Sequence, residues 1–232
     1  MLKFASFSEI GPREENQDRI LSPAPIGDGF LMAIADGVGG ATGGDKAAEI
    51  AVEVLKSSLQ AHKNLPAAFA EISEIIRSEG AKNSFHSKMA TTLTAVLISP
   101  PQLRLAHVGD ARAYHLRGAG LVTLTQDQTE IAELVRKGIL SKRQALRYSR
   151  KNVLISAIGA QSTYDLYETE TKVAHGDRIL LLTDGVYDRV SKGEISQISL
   201  QSSTPDHFAE ALKSAVQNGG PRDNYSALVV QI

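Results

Sequence analysis

No cysteine occurs in this chain of 232 residues. That excludes disulfides, a thiolate nucleophile and zinc sites built on thiolates. Excess charge of either sign is also missing: 25 Lys and Arg stand against 26 Asp and Glu, a net charge of −1. No global field therefore argues for nucleic acid or a membrane as partner. No apolar run approaches the ~18 residues of a membrane span. The opening residues, Met1-Leu2-Lys3-Phe4-Ala5-Ser6, lack the apolar core of a secretory signal. A cytoplasmic protein is the simplest expectation. No Pro/Gly/Ser-rich linker, repeat or low-complexity segment divides the chain, so a single domain over 1–232 is expected. None of the 6 histidines falls in a metal-spacing motif such as H-E-x-x-H, and each is expected to be structural.

What the chain does have is a set of aspartates at the ends of apolar runs. Phe30-Leu31-Met32-Ala33-Ile34-Ala35 stops abruptly at Asp36, and Gly37-Val38-Gly39-Gly40 follows. This reads as a buried strand delivering a carboxylate to its tip, then a backbone bent in ways a Cβ would block. Asp110 follows Leu105-Ala106-His107-Val108-Gly109, Asp184-Gly185 follows Ile179-Leu180-Leu181-Leu182-Thr183, and Asp223-Asn224 precedes the last apolar run. Taken singly, Asp-Gly is a common turn and Asp223-Asn224 an Asx-turn. Gathered into one cleft, such acids would repel one another unless cations neutralise them. Oxygen ligands select hard cations, so Mg²⁺ or Mn²⁺ is favoured over Zn²⁺. Two such ions can orient and activate a water for attack on phosphorus.

The rest of the pattern places these acids. Residues 2–8, 17–22, 29–35 and 91–98 read as strands, and 44–61 as a helix with Ala47, Ala51, Val54, Leu55 and Ser58 on one face. A second helix opens near Pro66 with Phe69, Ile72 and Ile76 inward, and 80–88 reads as a loop. Residues 102–108, 111–117 and 120–125 read as a meander with tight turns at Gly109-Asp110 and Gly118-Ala119-Gly120. A helix over 127–137 presents Ile131, Leu134 and Val135 on one side. Ser141 and Ser191 open capping boxes, and Thr204-Pro205 starts a helix that Gly219-Gly220 ends. Strands are expected at 165–173, 177–183 and 225–232. Runs of strands and of helices, without βαβ alternation, indicate an α+β protein with antiparallel sheets covered by helices.

These motifs, in this order, resemble the metal-dependent serine/threonine protein phosphatases of type 2C, specifically the small single-domain bacterial members. The resemblance rests on Arg13-x-x-Asn16-Gln17-Asp18, Asp36-Gly37-Val38-Gly39-Gly40, Met89-Ala90-Thr91-Thr92 and Val108-Gly109-Asp110-Ala111-Arg112-Ala113-Tyr114. It continues through Leu124-Thr125-Gln126-Asp127, Ala157-Ile158-Gly159, Gly176-Asp177 to Asp184-Gly185, and Asp223-Asn224, and so covers nearly the whole chain. It implies a four-layer α-β-β-α sandwich, two packed antiparallel sheets flanked by helices, with a metal centre at one edge. It implies two Mn²⁺ or Mg²⁺ ions bridged by Asp36, with the Gly37 carbonyl, Asp184 and Asp223 as further ligands. Asp18 would hold metal-bound water, and Asp110 with Asp184 would support a third ion. Arg13 would grip the substrate phosphate, which suits a planar guanidinium fork; the bland alternative is a surface ion pair with Glu14 or Glu15. The implied partners are phosphorylated proteins and a cognate bacterial serine/threonine kinase, acted on by a monomer.

The departures matter too. Gln17 and Val38 stand where eukaryotic members have Glu and His, so the general acid has no named candidate. Ala111 and Gln128 replace the usual Ser and His. Residues 136–151 hold Arg136, Lys137, Lys142, Arg143, Arg147, Arg150 and Lys151 and no acid. The resemblance places this run in a flap, about 127–155, beside the site. It would there steer acidic or phosphorylated segments inward, unless it is only a solvated helix face. Two other functions stay open: a catalytically silent binding module of the same fold, and a small-molecule phosphoesterase.

Overall fold

The computed structural model describes residues 2–38, 43–82, 88–150 and 152–232, apart from the side chain of Lys142. Gly39 and Gly40 of the expected glycine bend lie outside the described residues, as does Lys151. Within them the strands form two five-stranded sheets. The first runs β1 (Lys3–Glu9), β10 (Tyr225–Gln231), β9 (Arg178–Leu182), β6 (Arg112–Arg117), β7 (Gly120–Thr123). The second runs β2 (Asp18–Ile26), β3 (Gly29–Asp36), β4 (Leu93–Ser99), β5 (Gln102–Val108), β8 (Tyr167–Lys172). Every pairing is antiparallel.

Strand alternation sorts the core into three layers. Met32, Ile34, Val96 and Leu105 of the second sheet meet Ala113, Leu181, Leu228 and Val230 of the first. The other face of the second sheet, with Leu31, Ala33 and Ala95, packs on Ala51, Leu55, Phe69 and Ile72 of α1 (Gly44–Gln60) and α2 (Leu65–Lys82). The other face of the first sheet, with Leu180, Leu182 and Val229, packs on Ile195, Phe208, Leu212 and Val216 of α6 (Lys192–Gln201) and α7 (Pro205–Asn218). The unbroken apolar runs of β3 and β9 follow from this, because both faces of each strand are covered. The result is the expected helix–sheet–sheet–helix sandwich.

Three details differ from the sequence pattern. Residues 102–125 are not one meander: β5 pairs with β4 and β8, while β6 pairs with β7 and β9. Gly109-Asp110 is therefore a crossover between sheets, with Gly109 at φ +111°. A Cβ there would meet Thr92 at 2.5 Å, so only glycine lets the crossover press on the neighbouring strand. Second, the flap helix is shorter, α3 (Glu130–Arg136), and Ile131, Leu134 and Val135 are only half-buried. Third, α2 runs on to Lys82, so residues 80–82 are helix, and 83–87 lie outside the described residues. The capping boxes at Ser141 and Ser191 and the Thr204 cap form as expected.

The turn before β9 is tied by a buried acid. Asp177 accepts a guanidinium fork from Arg117 at 2.8 and 2.7 Å, with further bonds from His115 Nε2 and the Ala174 N–H at 2.8 Å each. These bonds, chiefly the Arg117 fork, hold its carboxyl well below the usual range. A depressed carboxylate adds stability above its unfolded pKa near ~4 and loses it as pH falls towards the folded value. Asp177→Asn is accordingly expected to lower stability at pH 7 by about 2 kcal/mol, a modest figure because Arg117 is exposed. Thermal melts should show the gap to wild type closing below pH ~4.

Candidate metal centre

Both sheets send aspartates to one edge. Asp18 at the start of β2 lies in register opposite Asp36 at the end of β3. Asp184 leaves β9 as the first residue of the single turn α5 (Asp184–Tyr187), Asp223 precedes β10, and Asp110 sits in the sheet crossover. A cavity of about 850 Å³ is lined by Arg13, Asp36, Gly37, Asp110, Asp184 and Asp223, among others. Of the expected site residues only Asp18 is not in that lining. It is buried at 3% exposure, where its Oδ2 accepts a 3.0 Å bond from Thr183 and its Oδ1 has no partner among the described residues.

The backbone at Asp36 is clamped. The Asp36 N–H donates to Thr92 Oγ1 at 3.1 Å, while Thr91 Oγ1 and the Thr92 N–H donate to the Asp36 carbonyl at 3.0 and 2.8 Å. A Cβ on Gly37 would lie 2.4 Å from the Gly44 carbonyl, so glycine allows α1 to start hard against the strand end. Thr91 and Thr92 read in the sequence as ordinary strand residues. Their hydroxyls prove to be what fixes the central aspartate.

Asn224 has a similar role that local sequence did not reveal. Its Nδ2 donates to the Ile10 and Glu15 carbonyls at 2.7 and 2.8 Å, and its Oδ1 accepts from the Gln17 N–H at 2.9 Å. It thereby ties the Arg13 loop to the Asp223 loop. Arg13 itself forks onto Asp223, Nε to Oδ1 at 2.9 Å and Nη2 to Oδ2 at 2.7 Å, rather than onto Glu14 or Glu15. Asn224→Ala leaves three backbone groups without their partner, two of them carbonyls. The expected result is a loss of about 2–3 kcal/mol in stability and a 10- to 100-fold drop in kcat/KM, read by thermal melts and phosphopeptide assay.

The electrostatics are those of crowded acids. Burial pushes Asp18 up to about 6, with Asp223 adding to the rise. Burial first, then Asp110 and Asp223, pushes Asp184 up to about 8. Asp110 rises to about 7 through burial and the charge of Asp127. Asp36 is raised well above the carboxylate range by burial and then by Asp18, Asp184, Asp110 and Asp223. Such a set favours a neutralising cation. The donors are all oxygens, and one of them, Asp18 Oδ1, is buried and unpartnered. Among the described residues no three acids or imidazoles close into a ready-made cage. The all-oxygen donor set suits Mg²⁺ or Mn²⁺, hard ions that also retain waters. The residues present therefore fit hydrated divalent ions.

Two other features have visible partners. His107 is a core histidine, bonded to Thr94 Oγ1 at 2.8 Å and the Gln126 carbonyl at 3.1 Å, and burial pulls it down to about 4. The basic flap run is partly neutralised by acids just before it: Arg136 and Lys137 pair with Glu133, and Arg150 pairs with Glu130 at 2.7 Å.

Known proteins with this arrangement identify the class. The serine/threonine phosphatase Stp of Listeria monocytogenes is 29% identical over 211 residues, covering 87% of this chain and 84% of its own. The crystal structure of the Mycobacterium tuberculosis serine/threonine phosphatase PstP/Ppp is similar at a TM-score of 0.89 and 29% identity, covering 100% of this chain and 98% of that one. The PstP catalytic domain in complex with 2 manganese ions has a TM-score of 0.86 at 29% identity, covering 99% and 97%. Residues 8–223 match the protein phosphatase 2C family. The chain belongs to that family, and it is a protein serine/threonine phosphatase.

Proposed function

We propose that the protein hydrolyses phosphoserine and phosphothreonine in proteins by direct, metal-dependent attack of water, reversing a bacterial serine/threonine kinase. The observation that carries this is the meeting of Asp36, Asp110, Asp184 and Asp223 with Arg13 around one open cavity. Asp36, the Gly37 carbonyl, Asp184 and Asp223 would hold two Mn²⁺ or Mg²⁺ ions, Asp18 a coordinated water, and Asp110 with Asp184 a third ion. When bound, the ions supply charge neutralisation and activate water for in-line attack on phosphorus. Arg13 presents a bidentate donor pair that Asp223 already occupies, and a phosphate offers the same geometry in exchange. Val38 lines the cavity and, among the described residues, no histidine does, so the proton for the departing alkoxide would come from a water held at the metal site. With no cysteine in the chain, no thiol phosphoenzyme forms.

The test is turnover of a phosphothreonine peptide with and without Mn²⁺, beside a small aryl phosphate and a sugar phosphate. Cation-dependent peptide turnover supports the proposal. No turnover of any substrate would favour a binding module, and turnover confined to small molecules a general phosphoesterase.

A further inference from the structure

A second groove opens off the metal cavity. It measures about 750 Å³ and shares Arg13, Asn152, Asp184 and Asp223 with it. Its remaining wall comes from the flap, through Tyr148 and Arg150, and from Asp188, Arg189 and Arg222. Arg13 is engaged by Asp223 and Arg150 by Glu130. Arg189 and Arg222 make no ion pair or side-chain hydrogen bond among the described residues. Apart from Asp184 and Asp223 of the metal site, the one acid lining this groove among the described residues is the exposed Asp188. The metal cavity differs in sign at its rim, where Glu14 and Glu15 line it and do not reach the groove.

The two arginines are also positioned by the site itself. Arg222 directly precedes Asp223, and Arg189 closes the turn that Asp184 opens, its N–H bonded to the Val186 carbonyl at 3.0 Å. Their distance from the phosphate position is therefore set by the same two segments that carry the acids. An extended peptide advances ~3.3 Å per residue, so a phosphoresidue held at Arg13 delivers its near neighbours into this groove.

We propose that the groove is a substrate subsite in which Arg189 and Arg222 bind a second anionic side chain, a carboxylate or another phosphate, within about three residues of the phosphoresidue. This rests on the phosphatase reading above and adds the substrate class: acidic or multiply phosphorylated segments. A guanidinium pair suits both anions, since each offers two oxygens to a planar fork.

The experiment compares kcat/KM for three phosphothreonine peptides: neutral flanks, glutamates at the flanks, and a second phosphoserine. Wild-type protein is expected to prefer the anionic peptides by about 3- to 10-fold at low salt, as for solvent-exposed charge pairs. In Arg189→Ala/Arg222→Ala the ratio of anionic to neutral peptide should fall to about one, and in Arg189→Glu/Arg222→Glu it should invert. The ratio is the readout because a merely structural defect lowers all the peptides together. A glutamate preference without a phosphoserine preference identifies an acidic segment as the ligand, and the converse a multiply phosphorylated one. No wild-type preference, or a preference untouched by charge reversal, overturns the subsite. Absence of cation-dependent turnover with all three peptides would overturn the phosphatase reading together with the subsite, whereas turnover of all three at equal kcat/KM overturns the subsite alone.

Discussion

Asp36→Asn is expected to cut phosphothreonine-peptide turnover by at least ~10³-fold, about 4 kcal/mol of transition-state stabilisation, while raising the melting temperature measured without added cation. The two effects have one cause. Asp36 lies within electrostatic reach of Asp18, Asp184, Asp110 and Asp223, which together with burial push its carboxyl far up. An amide removes that repulsion and keeps the shape, and its backbone clamp by Thr91 and Thr92 does not involve the side chain. The same amide is a poor bridging ligand for a hard cation. A variant that lost activity through misfolding would melt lower, so a lower melting temperature together with lost turnover would sink this account. So would a variant that retained Mn²⁺-dependent turnover.

The metal-free protein is expected to lose stability as pH rises from about 4 to 8, and divalent cation to restore it. Asp18, Asp110 and Asp184 have folded pKa values near 6, 7 and 8, raised first by burial. A raised carboxyl binds its proton more tightly when folded, so it is neutral and harmless at low pH. It becomes a buried, uncompensated charge as pH climbs through those values. This sign is opposite to that of Asp177, whose depressed carboxyl contributes above pH ~4. Cations bind the ionised set in competition with protons. At about 100 times its dissociation constant Mn²⁺ should add ~2.7 kcal/mol, or roughly 5–10 °C in melting temperature. The increment should be larger at pH 8 than at pH 5.5. Calorimetry across this range in chelator and in Mn²⁺ reads both, and a metal-free melting temperature that climbs from pH 5 to 8 would refute the assignment.

Much of the site was legible because its signals are local. An apolar strand that stops at an aspartate is visible at Asp36 and Asp184 without any knowledge of partners, since strand burial and the terminal charge lie within a few residues. Helix starts at Ser141, Ser191 and Thr204 were equally readable, because a cap bonds only three residues ahead. The crossover at Gly109-Asp110 was not. Two short strands around a Gly-Asp pair look the same whether they pair with each other or part into different sheets. Only the claim of β4 and β8 on both edges of β5 forces β6 into the other sheet.

Residue types and order alone thus determined the layered α+β class and the oxygen-only donor set. They also marked out Asp36, Asp110, Asp184 and Asp223, because strand-end charge is a property of adjacent residues, while Arg13 and Asp18 were picked out only by the family resemblance. Tertiary structure decided who holds them. The bonds from Thr92 to Asp36, Asn224 to the Arg13 loop and Arg13 to Asp223 span 56, 207 to 214 and 210 residues. The pairing of Arg150 with Glu130, and the placement of Arg189 and Arg222 beside the cavity, are likewise outcomes of packing. Hydrogen bonds and ion pairs act over a few ångströms in space, and at such separations along the chain only the folded sandwich brings their partners within reach.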